Sequence, residues 1–388
     1  MNRLSVNIKN DYIYKFFSAF DITSAIWVLY LGFKGMTLAQ IGLLEGIFHI
    51  TGFISEIPTG ALADLFGRKK IIIIGRITSL ISAIIMLFSN SFMGFAIGFI
   101  LSAWGYNLNS GSEEALIYDT LKKLDREEEF LKVNGKINLI IEVSQGLAVF
   151  IGGILSQIDF SISYITAVVI GSISLVLSTR FIEVDVIRKE NQSISIINHL
   201  KQSIDIVKNN KRLLNILIFF PLIYTFSAIV YFYGQQLFND MEYSRISISI
   251  IFLFNGIFSS LGAILSSKIY KKYKSLGWIM ISISISVFTI FMGIGKGNLS
   301  IVFFLGIGFL TSILQPISSN LINSMVESNQ RATIISVESM FYSIMMIILF
   351  PICGFIGDRV YLELSFIMVG IVGVLICITE IIIIKKTI

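Results

Sequence analysis

Long apolar runs alternate with short polar connections from one end of this chain to the other. A run of about 18 or more mainly apolar residues is long enough to cross a bilayer as a helix. The pattern predicts twelve spans, at 11–33, 37–63, 70–89, 91–121, 130–157, 161–181, 212–236, 242–270, 275–295, 299–326, 330–357 and 360–385. A segment in lipid must satisfy its own backbone hydrogen bonds, and no barrel-like alternation runs through these stretches. Helix is therefore the predicted form throughout.

One connection is long, "IEVDVIRKENQSISIINHLKQSIDIVKNNKRLL" (182–214). In it Ile197, Leu200, Ile204 and Val207 recur at helical spacing, with Lys201, Asp205 and Lys208 between them. This predicts an amphipathic helix on the inner membrane surface. The expected organisation is an all-α membrane protein: a six-helix bundle at 1–181, a cytoplasmic linker at 182–211 and a second six-helix bundle at 212–388. "GAILSSKIYKKYKS" (262–275) weakly echoes "GALADLFGRKK" (60–70), and each lies between the second and third spans of its half. Such internal repeats are typical of secondary transporters.

Composition removes the soluble alternative. Of the 388 residues 55% are hydrophobic and 14% charged, against roughly 25% charged in soluble domains. One core could not bury so many long apolar helices. The net charge of +5 reports topology rather than affinity for nucleic acid. With the N-terminus inside, the outer loops hold only Lys34, Arg245, Lys296 and Arg359, so both termini are expected in the cytoplasm. Cys353 and Cys377 lie inside apolar runs and suggest neither a disulfide framework nor a metal site. "MNRLSVNIKNDYIYKFF" lacks a signal-peptide pattern, so the first helix is expected to stay. Ile, Lys and Asn are abundant, as in low-GC bacteria; a bacterial plasma membrane is the expected location.

With twelve spans, a six-plus-six division and a central linker, the chain resembles the major facilitator superfamily over its whole length. "GALADLFGRKK" carries the specific part, matching that family's loop signature at Gly60, Leu62, Asp64, Gly67, Arg68 and Lys69. Leu65 stands where a basic residue is usual. The resemblance implies a gating role: Asp64 would pair with a basic group or cap the start of span eleven, where free N–H groups favour an anion. Gly60 would admit a neighbouring helix, and Arg68 and Lys69 would face anionic headgroups. "SQGLAVFIGG" (144–153) resembles part of a motif of proton-coupled drug exporters in that superfamily. Gly152 and Gly153 match it, whereas Ala148 and Val149 replace Gly-Pro, so the small-residue packing face survives and the kink does not.

Ionisable groups inside apolar spans are costly and so are functional candidates. Asp21 falls near the middle of span one, and Glu142 near the middle of span five. Glu45, His49, Gly52 and Glu56 share one face of span two by their spacing. Glu338 is the main case in the second half. Asp21, Glu45, His49, Glu56, Glu142 and Glu338 are the proton-coupling candidates, since burial favours a protonated carboxyl. Glu338 could equally complement a helix dipole, and His49 could be a neutral hydrogen-bond partner. Glu113, Glu114 and Asp119 approach the inner surface, where pairing with Arg76, Lys122 or Arg331 competes with proton carriage.

Lys and Arg are missing from the central layer, which argues against phosphates and dicarboxylates as substrates. Aromatic and amide residues remain: Trp27, Tyr30, Trp104, Asn107, Tyr231, Gln235, Asn255, Gln315 and Asn320 are the substrate-binding candidates. Aromatic faces bind flat cations, although Trp and Tyr near helix ends also serve as interfacial anchors. No Walker A sequence and no nucleophile–base constellation occurs, so no enzyme, metal or cofactor is expected. The expected function is secondary active transport: proton-coupled efflux of small amphipathic or cationic compounds by a monomer using alternating access. Import of a neutral nutrient and lipid flipping are the alternatives.

Overall fold

In this computed structural model the described residues are 3–184, 210–327 and 331–387. They form α1 (Val6–Ser18), α2 (Trp27–Phe33), α3 (Leu38–Phe66), α4 (Arg68–Phe88), α5 (Phe92–Lys123), α6 (Phe130–Ile158) and α7 (Phe160–Ser178). After the linker come α8 (Lys211–Asp240), α9 (Arg245–Ile294), α10 (Asn298–Ser324), α11 (Arg331–Arg359) and α12 (Leu362–Thr387). No strand occurs among the described residues. The predicted amphipathic helix at 197–207 lies outside them.

Polar caps set several helix starts. Ser91 accepts from the Gly94 N–H at α5, Asp159 from Ser161 at α7, Asn210 from Leu213 at α8 and Ser244 from Ser247 at α9. Each satisfies a backbone donor that the helix cannot.

Ten helical stretches among the described residues are long and apolar enough to cross a membrane, by length and composition alone. Two of the twelve expected spans are not among them. Span one is not one helix: α1 ends at Ser18 and α2 begins at Trp27. Asp21 causes the interruption locally. Its Oδ1 accepts from the Thr23 N–H at 2.9 Å and the Thr23 hydroxyl at 2.7 Å, while its carbonyl accepts from the Ser24 hydroxyl at 3.0 Å. Such bonds compete with the helical ladder. Span four is the helix α5, whose second half, "NLNSGSEEALIYDTLKK", carries too many polar groups to qualify. The connection expected between spans eight and nine is also helical: α9 runs unbroken from Arg245 to Ile294 and contains two crossing stretches, Arg245–Tyr273 and Gly277–Ile294.

The chain divides into two compact units. Unit 1 comprises Met1–Tyr30 and Ile47–Gln192; unit 2 comprises Leu31–Gly46 and Ser193–Ile388. In unit 1, Tyr30 stacks on Tyr164 at 3.9 Å and donates its hydroxyl to the Met86 carbonyl at 2.7 Å. In unit 2, Phe304 packs against Phe238, Phe252 and Tyr231, and Tyr233 stacks on Phe350 at 4.4 Å. The start of α3 belongs to unit 2 for a visible reason. Asp358, near the end of α11, accepts from the N–H groups of Leu38 (2.9 Å) and Ala39 (2.8 Å). It supplies the negative charge that a helix N-terminus favours. The Tyr233 hydroxyl donates to the Leu38 carbonyl, and any side chain at Gly42 would collide with the Pro351 backbone. Large apolar side chains such as Phe88, Ile264 and Val302 stand exposed, as lipid-facing groups do.

Candidate functional site

Unit 2 holds a partly open cavity of about 500 Å³ between α8, α9, α10 and α11. Its wall is aromatic and hydroxylic. Tyr224, Tyr231 and Phe232 come from α8, Asn255 from α9, Phe304, Thr311 and Gln315 from α10, and Glu338 and Tyr342 from α11. Several polar groups are pre-set by bonds to one another. Tyr224 and Ser318 share a hydrogen bond at 2.5 Å, Ser227 and Thr311 another at 2.8 Å, and Asn255 donates to the Phe304 carbonyl at 3.2 Å. Among the described residues of the lining, Glu338 is the single carboxylate and no Lys or Arg occurs. It is half-buried and makes no hydrogen bond or ion pair among the described residues. Glu45, buried on the part of α3 that belongs to unit 2, lies within electrostatic reach of Tyr342. Such a chamber can hold a flat apolar body against aromatic rings and place one positive group beside a carboxylate.

Unit 1 holds a second polar centre. Glu113 on α5 is buried and accepts from Lys15 Nζ at 2.5 Å, from Arg76 Nη2 at 2.6 Å and from the Tyr14 hydroxyl. Arg76 Nε donates to the same Tyr14 oxygen at 2.6 Å. One carboxylate of α5 thus gathers two cations and a phenol from two other helices, α1 and α4. The pairing of Glu113 with Arg76 follows the structural alternative that the sequence offered. Asp119 meets Arg68 at 3.9 Å instead, and Glu114 is exposed.

The loop "GALADLFGRKK" is organised around a residue that the sequence did not single out. Glu183, at the start of the linker, accepts from the N–H groups of Arg68 (2.9 Å) and Lys69 (2.9 Å) and so caps α4. Gly67 lies at φ +97°, and a Cβ there would sit 2.7 Å from the Glu183 carboxylate. Both facts require glycine. Leu62 is half-buried beside the core of Ala63, Ile71 and Leu108. The side chains of Gly60 and Asp64 lie outside what the structure describes.

The other sequence candidates scatter. Of the coupling group, Asp21 is exposed in the break of span one, Glu56 and Glu142 are exposed on α3 and α6, and His49 is half-buried with Phe48 edge-on at 5.7 Å. Of the binding group, Tyr231, Asn255 and Gln315 meet in the unit 2 cavity with Glu338. Tyr30 and Gln235 are buried in their units, and Trp27 packs on Phe99. Asn107 donates to the Gly52 carbonyl and Ser55, tying α5 to α3. Trp104 and Asn320 are exposed outside the cavity lining. The sequence reading passed over Tyr224, Ser227, Thr311 and Tyr342. In apolar helices Ser and Thr usually bond back to their own backbone, so they carry little signal until neighbours are known. Among the described residues no group of three or more His, Cys, Asp or Glu could hold a metal ion.

Ten stretches long and apolar enough to cross a bilayer, together with a cavity inside unit 2, point to a multi-pass membrane protein. The Major Facilitator Superfamily model matches residues 13–311, more than half of the chain, and the chain belongs to that superfamily of transporters. Its relatives include the MFS-type transporter YxaM of Bacillus subtilis, 27% identical over 261 residues, 66% of this chain and 64% of YxaM. Another is the quinolone resistance protein NorA of Staphylococcus aureus, 22% identical over 325 residues, 82% of this chain and 81% of NorA. The first relatives are matched over less than two thirds of their own length, 64% for YxaM and 27% for the inner membrane transport protein YajR of Escherichia coli. Among solved structures, that of the nucleoside transporter NupG superposes with a TM-score of 0.81 at 14% identity, covering 99% of this chain and 100% of NupG. At that identity the likeness speaks for the fold alone.

Proposed function

We propose that the protein is a proton-coupled secondary transporter that exports small amphipathic or cationic compounds by alternating access. The unit 2 cavity carries this reading: among its described residues three tyrosines and two phenylalanines accompany a single carboxylate, Glu338, and no competing cation. An organic cation gains stacking from the rings and charge pairing from Glu338, whereas an anionic substrate finds no partner. Similarity to a protein named for quinolone resistance across 82% of the chain supports export. In this reading the protein is a monomer in a bacterial plasma membrane with both termini cytoplasmic. The Gly60–Lys69 loop is its conformational latch, with Asp64 as the charge that engages the second bundle. Asp21, Glu45, His49, Glu56 and Glu142 remain coupling candidates, with Glu45 favoured by its burial beside Tyr342.

A second reading has its own observation. Asn255, Gln315, Ser227 and Thr311 make part of the cavity rich in neutral hydrogen-bonding groups, which also suits a neutral polyhydroxylated nutrient. NupG is titled a nucleoside transporter, and a D-xylose-proton symporter superposes with a TM-score of 0.70.

Everted membrane vesicles separate the two. The vesicles are energised, their acid interior is followed with a pH-sensitive dye, and planar organic cations are added. Export predicts proton release on addition, abolished by Glu338→Gln while the protein stays folded. Silence toward all cations, with saturable uptake of nucleosides or sugars into intact cells, would replace export with import.

A further inference from the structure

Asn7, Asp11, Tyr14 and Lys15 recur at three- and four-residue spacing and so share one face of α1. Three of the four are bonded. Asn7 donates to Thr120 Oγ1 (3.0 Å) and to the Ile182 carbonyl, and accepts from the Ile182 N–H. Tyr14 and Lys15 bind Glu113. Asp11 is different. It is 1% exposed, and neither carboxylate oxygen has a hydrogen-bond partner among the described residues.

Among the described residues, the surroundings do not supply the missing partner. On α1, Lys15 and Tyr12 lie within electrostatic reach of Asp11. On α5, Glu113 adds a like charge, and Arg76 on α4 is already committed to Glu113 and Tyr14. Where α6 meets this end of α1 it contributes the apolar Val133 and Ile137 beside Ile8. Beyond α7, Ile182 is engaged with Asn7, and Glu183 with the start of α4. An ionised carboxylate isolated from water with no donor is prohibitively costly, whereas the neutral acid is tolerated.

We propose that Asp11 is a proton-binding site of unit 1, exchanging its proton against the position of Lys15. In the loaded form Asp11 is a carboxylic acid and the Lys15 ammonium rests on Glu113, as the geometry has it. On unloading, the Asp11 O–H bond breaks and the proton leaves to water. The ammonium, its own charge unchanged, swings one helical turn back to the new carboxylate. Glu113 keeps Arg76 and Tyr14, so neither carboxylate is left bare in either form. The four charged groups then balance at zero when unloaded and carry one positive charge when loaded.

The site would serve the proton coupling proposed above, but its test needs neither substrate nor transport, so the two readings fail separately. Full-length protein in detergent is labelled with [4-13C]aspartate, and its infrared spectrum is followed from acid to alkaline pH. The expected result is a protonated-carboxyl band near neutral pH that shifts with the label and disappears in Asp11→Asn. Lys15→Met removes the cation that competes with the proton, so in that variant the band persists to higher pH. The assignment is overturned if the wild-type protein shows no label-sensitive protonated carboxyl at neutral pH. It is equally overturned if the band survives intact in folded Asp11→Asn, or if Lys15→Met leaves its titration unmoved. The labelled wild-type spectrum decides the first point even if a variant fails to fold.

Discussion

Exchange of Glu113 for Gln is expected to cost about 3–5 kcal/mol of stability, the usual penalty for breaking a buried ion pair from one side. The neutral amide keeps the shape of the acid but leaves Arg76, with a side-chain exposure of only 17%, without its carboxylate, and leaves Lys15 only Asp11 to turn to. Arg76 also holds its guanidinium 5.1 Å from the Tyr14 ring centre, so it cannot simply swing away without losing that contact. Thermal unfolding of the detergent-purified protein measures the effect. The double variant Glu113→Gln, Arg76→Met should recover part of the loss, because it removes the stranded cation, and the non-additivity reports the coupling directly. An unchanged unfolding temperature in Glu113→Gln would mean that the three groups are solvated rather than buried together.

Two glycines of α6 should respond to alanine with opposite sign. At Gly152 an added Cβ would overlap the Ile22 carbonyl oxygen and press on its side chain. Ile22 lies in the interruption of span one, next to the Asp21 turn, and is itself buried. The obstructing atom is backbone rather than the end of a flexible side chain, so Gly152→Ala is expected to cost about 1–3 kcal/mol, as overpacking does. At Gly135, on the same helix, a Cβ meets nothing within 4 Å. Gly135→Ala there is expected to stabilise by up to about 1 kcal/mol through helix propensity. Parallel unfolding of both variants checks the pair; destabilisation by both would contradict the close approach assigned to Gly152.

That contrast also shows what the sequence could convey. "FIGG" suggested a small-residue packing face, and Gly152 does meet another segment, but nothing in the string names Ile22 as the neighbour. The helical runs were legible because lipid demands long uninterrupted apolar stretches. The break at Asp21 was written in "FDITS", yet a carboxylate in an apolar run reads first as machinery and only second as a turn-former. Tyr231, Asn255, Gln315 and Glu338 were legible as polar residues in apolar helices, and they do meet in one cavity. Tyr224 and Tyr342 were not, since a tyrosine in a membrane helix has several ordinary uses. Asp11 was missed because it sits near the polar N-terminal stretch, where charge is expected to be solvated; only its burial sets it apart.

The bond from Glu183 to the start of α4 bears on where the polypeptide can be divided. Transporters built as two bundles invite the making of two separate chains that reassemble. By residue number the natural seam is the end of α7 at Ser178. Chemically the seam comes later. A first fragment that stops short of Glu183 would leave the Arg68 and Lys69 amides without their acceptor, and would also lose Ile182 from Asn7. The fragment that retains Val184 carries its own clasp, so the first residues of the linker are, in fabrication terms, the last of the first bundle.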